Sequence, residues 1–429
     1  MRLSPLLVVG TCLSAAALAI SPAAQASILQ SAVVSENPAN YTPNMVDGGG
    51  VDHTAAYAVA QLGGTMYVGG TFALVQPSGG TTVSRTNLVG FSATNGALTR
   101  YAPQIDRPVW AIATNGSSLY VGGEFRTFDG VSRRALVKLN PTAADPTVFT
   151  VDTAFDAHFT SGKVTEIRLV NGRLIVGGSF PGQLRALNPT TGADTGYVNL
   201  NITGRVASNS GPTDVYRFAV NPAGTRLVAL GNFTSVNGQV RARAFMADLG
   251  ANSTTLDPWY YQRLTRACRA TKIPQQLRDV DFSPDGSYFV FVATGYIPQA
   301  GGVGLDVCDA AARFETNVAS PTSPTWINYT GGDSLYSVAA TGAAVYVQGH
   351  QRWMNNPQGA NSAGPGAVDR PGIAALSSTT GLALSWNPGK SRANGGRDLL
   401  ATPAGLWVAS DGSRFAGELR DNIAFCPLP

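Results

Sequence analysis

The sequence has few charged residues and few side chains that bind metals. Asp, Glu, Lys and Arg make up 13% of its 429 residues, and the chain contains 4 cysteines and 3 histidines. No CxxC pair and no histidine-rich cluster occurs, so we expect neither a zinc site nor any other cofactor. The basic residues are scattered and the net charge is only +4. This disfavours nucleic-acid binding, which needs a basic stripe or patch.

Long apolar runs are missing after the N-terminus. Beyond residue 26, no stretch reaches the roughly 18 uninterrupted apolar residues that predict a membrane span. The first 26 residues contain an apolar run at 6–20 and end in A-Q-A, which predicts a secretory signal peptide, residues 1–26, with an A-x-A cleavage site. We therefore expect residues 27–429 to form a single secreted, extracellular domain.

The signatures of two common functional classes are also missing. There is no GxSxG motif, so a serine hydrolase of the α/β class is disfavoured. Gly79-Gly80 and Gly301-Gly302 are not followed by the helix that a phosphate-binding loop requires. Any catalytic function must therefore depend on other residues.

The cysteines predict one disulfide. After removal of the signal peptide, Cys268, Cys308 and Cys426 remain, and an oxidising compartment favours one pair. Cys268 and Cys308 both lie in polar, loop-like sequence, so we predict that they pair. Cys426 lies in the alternating run NIAFC and is expected to be a buried apolar residue.

What the sequence does contain is glycine, proline and an internal repeat. Its 49 glycines and 26 prolines favour short strands and turns over helices. The repeated unit has an apolar strand A, a tight turn, a strand B that ends in a glycine doublet, and strands C and D. In the second unit these are predicted at residues 109–114, 118–125, 135–140 and 151–159.

A glycine-containing turn between strands A and B marks each unit. Glycine adopts positive φ without steric cost, as a two-residue hairpin turn requires. The turns are Gly63-Gly64, Asn115-Gly116, Asn171-Gly172, Ala223-Gly224, Asp285-Gly286, Thr341-Gly342 and Ala404-Gly405. Four strands in each of seven units predict an all-β fold, a seven-bladed β-propeller of four-stranded antiparallel blades.

The two ends of the sequence are expected to meet in the last blade. The seventh unit has strand A near Leu399, strand B at 406–410 and strand C at 422–426, but no strand D follows. The N-terminal strand is expected to complete that blade, because this closure removes two free sheet edges. Deletion of residues 27–47 should then open the ring.

The repeats resemble those of a known family. YVGGEFRTFDGVSRRALVKLN (120–140) and IVGGSF (175–180) resemble the delta-60 type repeats of secreted bacterial β-propellers, which are similar to kelch propellers in the glycine doublet. The region from CDAAARFE (308–315) to SWNP (385–388) is similar to a subgroup common in secreted actinobacterial proteins. The resemblance implies the propeller fold but no function, because most proteins of this group have no assigned activity. The sequence departs from the pattern at Gln348, where a glycine is expected, and at Cys426, where an aromatic residue is expected.

Polar residues collect on one predicted face, where the D–A and B–C connections of a propeller lie. The stretch YVQGHQRW (346–353) lies there and replaces the YVGGTF and YVGGEF of other units. Trp353 offers a flat ring for a sugar, while arginine and carboxylate groups offer hydrogen bonds. The candidate ligand-binding residues are His350, Arg352, Trp353, Asp333, Tyr329, Asp398, Arg397 and Glu124.

Three functions fit this face. The leading hypothesis is a monomeric, non-enzymatic binding module that recognises a cell-wall or environmental glycan around blades five to seven. The second is an extracellular glycan lyase or hydrolase in which His350, Asp333 and Arg352 are catalytic, with His350 as general base. The third is a scaffold that binds a cell-surface protein. A purely structural role for His350, in which it holds the long loop that follows, is the alternative to a functional one.

Overall fold

The computed structural model describes residues 28–51, 53–206, 211–270 and 275–429. They form β-strands and one 3-10 helix, Gln262–Thr265. The predicted signal peptide lies outside the described residues. Within the described ranges, no helix combines the length and the apolar character that crossing a bilayer demands.

The strands are numbered in chain order. Those of the N-terminal half are β1 (Asn44–Val46), β2 (Ala55–Leu62), β3 (Thr65–Thr71), β4 (Leu74–Gln76), β5 (Val83–Ser84), β6 (Leu88–Ser92), β7 (Val109–Thr114), β8 (Leu119–Gly123), β9 (Thr127–Phe128), β10 (Val131–Ser132), β11 (Leu136–Pro141), β12 (Phe149–Val151), β13 (Val164–Val170), β14 (Arg173–Gly178), β15 (Leu184–Leu187) and β16 (Ile202–Thr203). Those of the C-terminal half are β17 (Val215–Val220), β18 (Arg226–Gly231), β19 (Ser235–Val236), β20 (Gln239–Val240), β21 (Ala244–Leu249), β22 (Thr254–Leu256), β23 (Leu277–Phe282), β24 (Tyr288–Ala293), β25 (Ala310–Glu315), β26 (Trp326–Tyr329), β27 (Leu335–Ala340), β28 (Val345–Gly349), β29 (Trp353–Met354), β30 (Val368–Asp369), β31 (Ile373–Leu376), β32 (Gly396–Thr402), β33 (Gly405–Ser410), β34 (Arg414–Phe415), β35 (Glu418–Leu419) and β36 (Ile423–Pro427).

Most of these strands belong to antiparallel sheets with one shared plan. In each sheet a first strand pairs with a second strand, and the second pairs with a third. In chain order the sheets are β2-β3-β6, β7-β8-β11-β12, β13-β14-β15, β17-β18-β21-β22, β23-β24-β25-β26, β27-β28-β31 and β32-β33-β36. The predicted all-β class is confirmed. The remaining short strands form hairpins between second and third strands, some of them joined by β1 or β16.

A regular fourth strand is found in some of the sheets. It is β12, β22 or β26. In three other sheets a single bridge stands at that position: Phe91 with Leu98, Leu187 with Asp194, and Leu376 with Ala383. The fourth strand of the second unit is β12, not the predicted 151–159. It ends at Val151 because Asp152 Oδ1 accepts the N–H of Ala154 at 3.1 Å and so begins a turn.

The turns between first and second strands form at the predicted glycines. Gly63, Gly172 and Gly286 have φ of 60°, 75° and 70°, a conformation that glycine adopts without penalty. The last turn differs, since Gly405 already begins β33 and residues 403–404 make the turn.

The hydrophobic core lies between neighbouring sheets. One cluster joins Ala111 and Tyr120 of one sheet with Val164 and Leu174 of the next. Burying each valine or leucine stabilises the fold by about 1.5–3 kcal/mol. The glycine doublet permits this packing, because a Cβ on Gly122 would lie 2.6 Å from Val164 Cγ1.

The departure at Gln348 is matched by a second departure on the next first strand. Gly396 begins β32 where other first strands begin with Val109, Val164 or Val215. A Cβ on Gly396 would lie 1.9 Å from the Gln348 Cδ atom, so the glutamine fills the space that a larger residue would need. Gln348 Nε2 donates to the carbonyl oxygens of Asp398 (2.8 Å) and Ala409 (3.0 Å). The two sheets have exchanged their small and large residues.

The N-terminal segment runs along the outer edge of the last sheet. The N–H of Ser35 donates to Pro427 O and the N–H of Ala39 donates to Phe425 O, both at 2.8 Å. Cys426, which lies between these two acceptors on β36, is fully buried and unpaired, as expected. The described N-terminus is thus hydrogen-bonded to the C-terminal strand.

Candidate functional site

An extra residue interrupts each first strand near its start. The register between first and second strands shifts there by one residue in every sheet of the shared plan. Such a β-bulge redirects the side chain of the extra residue and is common next to functional sites. The bulge residues are Tyr57, Trp110, Thr165, Tyr216, Arg278, Tyr336 and Arg397, and all are half-buried.

The bulge residues lie at one end of a central cavity. This cavity of about 590 Å³ is lined by residues from every first strand. The first strands therefore converge around it, as the inner strands of a propeller do. In each first strand the residues that line the cavity wall follow the bulge residue, and Trp110 itself lines the cavity, so the bulge residues lie around one mouth.

The bulge aromatics and arginines contact one another across neighbouring sheets. The rings of Tyr57 and Trp110 stack with centroids 4.1 Å apart and an interplanar angle of 2°. The guanidinium Cζ of Arg397 lies 5.6 Å from the centroid of Tyr57 and 5.3 Å from that of Tyr336. Arg278 Cζ also lies 5.3 Å from the Tyr336 centroid. These distances are typical of cation–π contacts.

Glu124 orients the tryptophan of this chain of contacts. Its Oε1 accepts a hydrogen bond from Trp110 Nε1 at 3.0 Å and forms an ion pair with Lys163 Nζ, also at 3.0 Å. Lys163 Nζ also lies 4.6 Å from the Trp110 ring centroid. The predicted site residue Glu124 therefore belongs to the cavity mouth and fixes the plane of the ring.

Below the mouth, charged side chains line the cavity wall. Asp398 Oδ2 accepts the N–H of Val59, and Asp279 Oδ2 accepts the N–H of Val338, both at 2.9 Å. Each of these bonds joins two neighbouring first strands. The prediction that Asp398 lies in a connection on the polar face is wrong: it is the third residue of β32, because the strand begins two residues before it.

Burial shifts the ionisation of these carboxyl groups. These carboxyl groups face the cavity but are surrounded by protein. Desolvation raises the pKa of Asp279 to about 8, although the positive charge of Arg217 acts in the opposite direction. The pKa of Asp398 is raised by the same cause. Arg217 forms an ion pair of 3.1 Å with Glu166, also in the wall. The cavity wall therefore carries less negative charge near neutral pH than its carboxyl groups suggest.

The His350 ring is bonded to backbone groups. Its Nε2 atom accepts the N–H of Ser334 at 3.2 Å, and its Nδ1 atom lies 3.4 Å from Asn394 O. The ring centroid is 6.0 Å from that of Tyr336. Among the described residues, no carboxylate forms an ion pair with His350. Both ring nitrogens are engaged in holding loops together, which agrees with the structural alternative for this residue.

Asp333 and Arg352 form an ion pair. Arg352 donates from Nε (2.8 Å) and Nη2 (3.0 Å) to the two oxygens of Asp333, which also accepts the Arg352 N–H at 2.9 Å. Asp333 is only 4% exposed. The Arg352 guanidinium lies over Trp353, 4.3 Å from the ring centroid. Trp353 is half-buried and begins the hairpin β29-β30, so its ring packs on an arginine whose hydrogen-bonding groups face Asp333.

Tyr329 anchors a loop and offers no ring face to a ligand. It is 3% exposed, and its hydroxyl donates to Asp306 O and accepts the N–H of Gly304, both at 3.0 Å. Its predicted ligand-binding role does not fit this placement, because the loop folds over the ring. The predicted disulfide Cys268–Cys308 is present and ties this loop to the segment before β23.

The bulge aromatics were missed in the sequence, although a signal for them exists. The bulge residues lie six to eight positions before the hairpin glycines, and most of them are large aromatic or basic residues in an otherwise apolar run. Such a residue near the start of most first strands was the signal that could have indicated the cavity mouth.

Comparisons with known proteins match a β-propeller family over one short segment of the chain. A family described as "Domain of unknown function (DUF5122) beta-propeller" matches residues 118–142. No curated protein matches the chain. The beta-propeller domain of Cps50 (Swd1) from Myceliophteria thermophila is 10% identical, with a TM-score of 0.42 and coverage of 70% of this chain and 81% of that one. The computationally designed Ika8 protein is 11% identical, with a TM-score of 0.45 and coverage of 90% and 99%. The family match covers the segment from β8 to β11, within one of the sheets that share the common plan.

Proposed function

We propose that this protein is an extracellular binding module that recognises a glycan at the cavity mouth. The observation that carries this proposal is the set of half-buried bulge aromatics, Tyr57, Trp110 and Tyr336, held in fixed orientations by stacking and by neighbouring arginines. Ring faces beside hydrogen-bonding groups are the usual components of a sugar site.

The rigidity of the frame also supports binding. The bulge residues stand on strands, not on long loops, and side chains such as Trp110 and Glu124 already hold their positions through hydrogen bonds. A site that is ordered before the ligand arrives loses less conformational entropy on binding. The site includes Arg278, Tyr336 and Arg397 from the sheets of β23, β27 and β32, where the sequence predicted the ligand, and extends to Tyr57 and Trp110.

We also propose that residues 27–429 form one seven-bladed ring closed by the N-terminal segment. The hydrogen bonds of Ser35 and Ala39 to β36 support closure on the outside, and the Asp398–Val59 bond supports it on the inside. Deletion of residues 27–47 should lower the unfolding midpoint sharply. N-terminal sequencing of exported protein that begins at Ser27, and elution as a monomer, would support the secreted state.

A glycan array and a cell-wall pull-down test the binding proposal. Residues 27–429 are compared with the variant Tyr57→Ala and with Tyr260→Ala as a matched control. Tyr260 is also a half-buried tyrosine beside an arginine, with Arg241 Cζ 5.3 Å from its centroid, but it lies outside the bulge residues. We expect Tyr57→Ala alone to weaken retention. No retained glycan in either assay would contradict the proposal and leave the protein-scaffold hypothesis.

A further inference from the structure

Two bulge arginines share one aromatic ring. The Cζ atoms of Arg278 and Arg397 each lie 5.3 Å from the centroid of Tyr336. Two guanidinium groups so close to each other repel, and the repulsion is stronger in a partly buried site than in water. A neighbouring anion would remove this repulsion.

The protein itself supplies little negative charge to these two groups. Among the described residues, Arg278 forms no ion pair, and Arg397 has one at 3.8 Å, from Nη2 to Asp411 Oδ2. Neither guanidinium donates a hydrogen bond to another described residue, and both Nε atoms are buried without a partner. Buried donors of this kind are rare in native proteins, and each one needs an explanation.

Two other half-buried arginines show how such a guanidinium group can be paired with a carboxylate. Arg352 binds both oxygens of Asp333, and Arg313 binds both oxygens of Glu315 at 2.8 and 3.1 Å. Arg313 also combines such a fork with a ring, since its Cζ lies 3.8 Å from the Tyr288 centroid. Arg278 has the ring contact without a carboxylate, and Arg397 has it with a carboxylate, that of Asp411, no closer than 3.8 Å.

We propose that the missing partner is the ligand, and that the glycan recognised at the cavity mouth is acidic. A carboxylate or sulfate group of the polysaccharide binds to Arg278 and Arg397 beside Tyr336. A neighbouring sugar ring contacts the edges of Tyr57 and Trp110, because their faces are taken by each other, by Arg397 and by Lys163. Arginine is suited to this role because its planar fork matches the geometry of an oxyanion. This inference rests on the proposed glycan-binding function and adds the chemical class of the ligand.

The electrostatic state of Arg278 agrees with a site that awaits an anion. Burial lowers the pKa of Arg278, and the charge of Arg397 lowers it further, whereas Tyr336, Tyr216 and Asp214 act in the opposite direction. Asp214 offers limited compensation, because its own burial raises its pKa to about 7. A bound anion would favour the charged form of Arg278.

Affinity electrophoresis with two acidic and two neutral probes tests the inference. The probes are polygalacturonate, which carries carboxylates, dextran sulfate, which carries sulfates, and neutral dextran and galactan. The wild-type protein is compared with Arg278→Gln and Arg397→Gln. Arg173→Gln is the matched control. Arg173 also contacts a ring, with its Cζ 4.1 Å from the Tyr197 centroid, but it lies at the opposite end of its sheet, directly after the hairpin turn. Unfolding midpoints of all variants are measured alongside, so that a folding defect is recognised.

We expect an acidic probe to be retained in preference to the neutral ones. Each of Arg278→Gln and Arg397→Gln should weaken this retention about tenfold, which corresponds to one lost charge-assisted contact. Arg173→Gln should change nothing, and retention should fall with added salt. Preference for polygalacturonate over dextran sulfate, or the reverse, identifies the anionic group.

Three results would overturn the inference, and they are distinguishable. Retention of the neutral probes as strong as that of the acidic probes, and unchanged in both Arg278→Gln and Arg397→Gln, would refute the acidic ligand and leave the glycan-binding function intact. Retention of an acidic probe that Arg173→Gln weakens as much as Arg278→Gln would refute the site. Absence of retention by all probes, together with an empty glycan array, would contradict both proposals.

Discussion

The stretch YVQGHQRW (346–353) and the bulge residues carry the same kinds of side chain but differ in what those side chains contact. In the stretch, His350 accepts the Ser334 N–H and Arg352 binds both oxygens of Asp333. At the cavity mouth, Arg278 and Arg397 have ring contacts, and their guanidinium groups donate no hydrogen bond to a described residue. The comparison teaches that an unusual residue in a repeat can be a local compensation, and that the candidate site is inferred from cationic groups left without hydrogen bonds.

Gln348 is the strongest case of compensation, and Gly396→Val should give the largest effect on stability. Valine would clash with the buried Gln348 side chain, and overpacking of this kind costs about 3 kcal/mol. The free energy of unfolding is measured in urea. Adding Gln348→Gly should recover part of the loss, since the second change restores the pattern of the other sheets. If the losses in free energy of unfolding of the two single variants simply add in the double variant, the two residues do not compensate each other.

Asp333→Ala should destabilise the protein without affecting glycan binding. The change leaves the fork of Arg352 without its carboxylate, and removing one partner from such a pair costs about 2–3 kcal/mol when the site is largely buried. Asp194→Ala is the control, because its 3.5 Å contact with Arg185 is more exposed and should contribute less than about 0.5 kcal/mol. Equal effects of the two changes would mean that Asp333 is not a structural anchor.

The pH dependence of stability extends the comparison to the cavity wall below the mouth. The pKa of Asp279 rises from 3.8 to about 8 on folding, so the unfolded chain releases this proton at lower pH than the folded one. The contribution of protonated Asp279 to the free energy of unfolding is fully present below about pH 4 and is lost as the pH rises towards 8. We expect the unfolding midpoint to fall over this range and the fall to be smaller in Asp279→Asn. An unchanged slope in the variant would contradict the raised pKa.

His350→Ala should have the smallest effect. The change removes the acceptor for the Ser334 N–H, and a hydrogen bond of this kind contributes about 1 kcal/mol. The unfolding midpoint should fall slightly while glycan affinity stays the same. Loss of affinity with an unchanged midpoint would return His350 to the candidate site.

The sequence predicted the repeat well because its signals are local. A hairpin glycine needs positive φ wherever the unit occurs, so Gly63, Gly172 and Gly286 identify their turns without knowledge of the rest of the fold. The Cys268–Cys308 pair was likewise accessible from composition and context.

The site was less predictable because its position depends on register and on distant contacts. A bulge shifts a strand by one residue, and nothing in the two-residue period shows that Trp110 or Tyr336 is the extra residue. Asp398 was placed in a connection for the same reason. The burial of Tyr329 depends on a loop more than twenty residues away in sequence, whose Gly304 bonds the hydroxyl.

One paired titration tests the central claim most directly. Trp110→Ala and Trp353→Ala each remove a half-buried tryptophan that contacts a cation, one at the cavity mouth and one in the stretch YVQGHQRW. Binding of the best-retained polysaccharide is measured by calorimetry for both variants and for the wild type. We predict a loss of about tenfold or more in affinity for Trp110→Ala, the size expected for one stacked aromatic anchor, and no change for Trp353→Ala. Loss of affinity in Trp353→Ala with Trp110→Ala unchanged would contradict the account and place the site at the stretch.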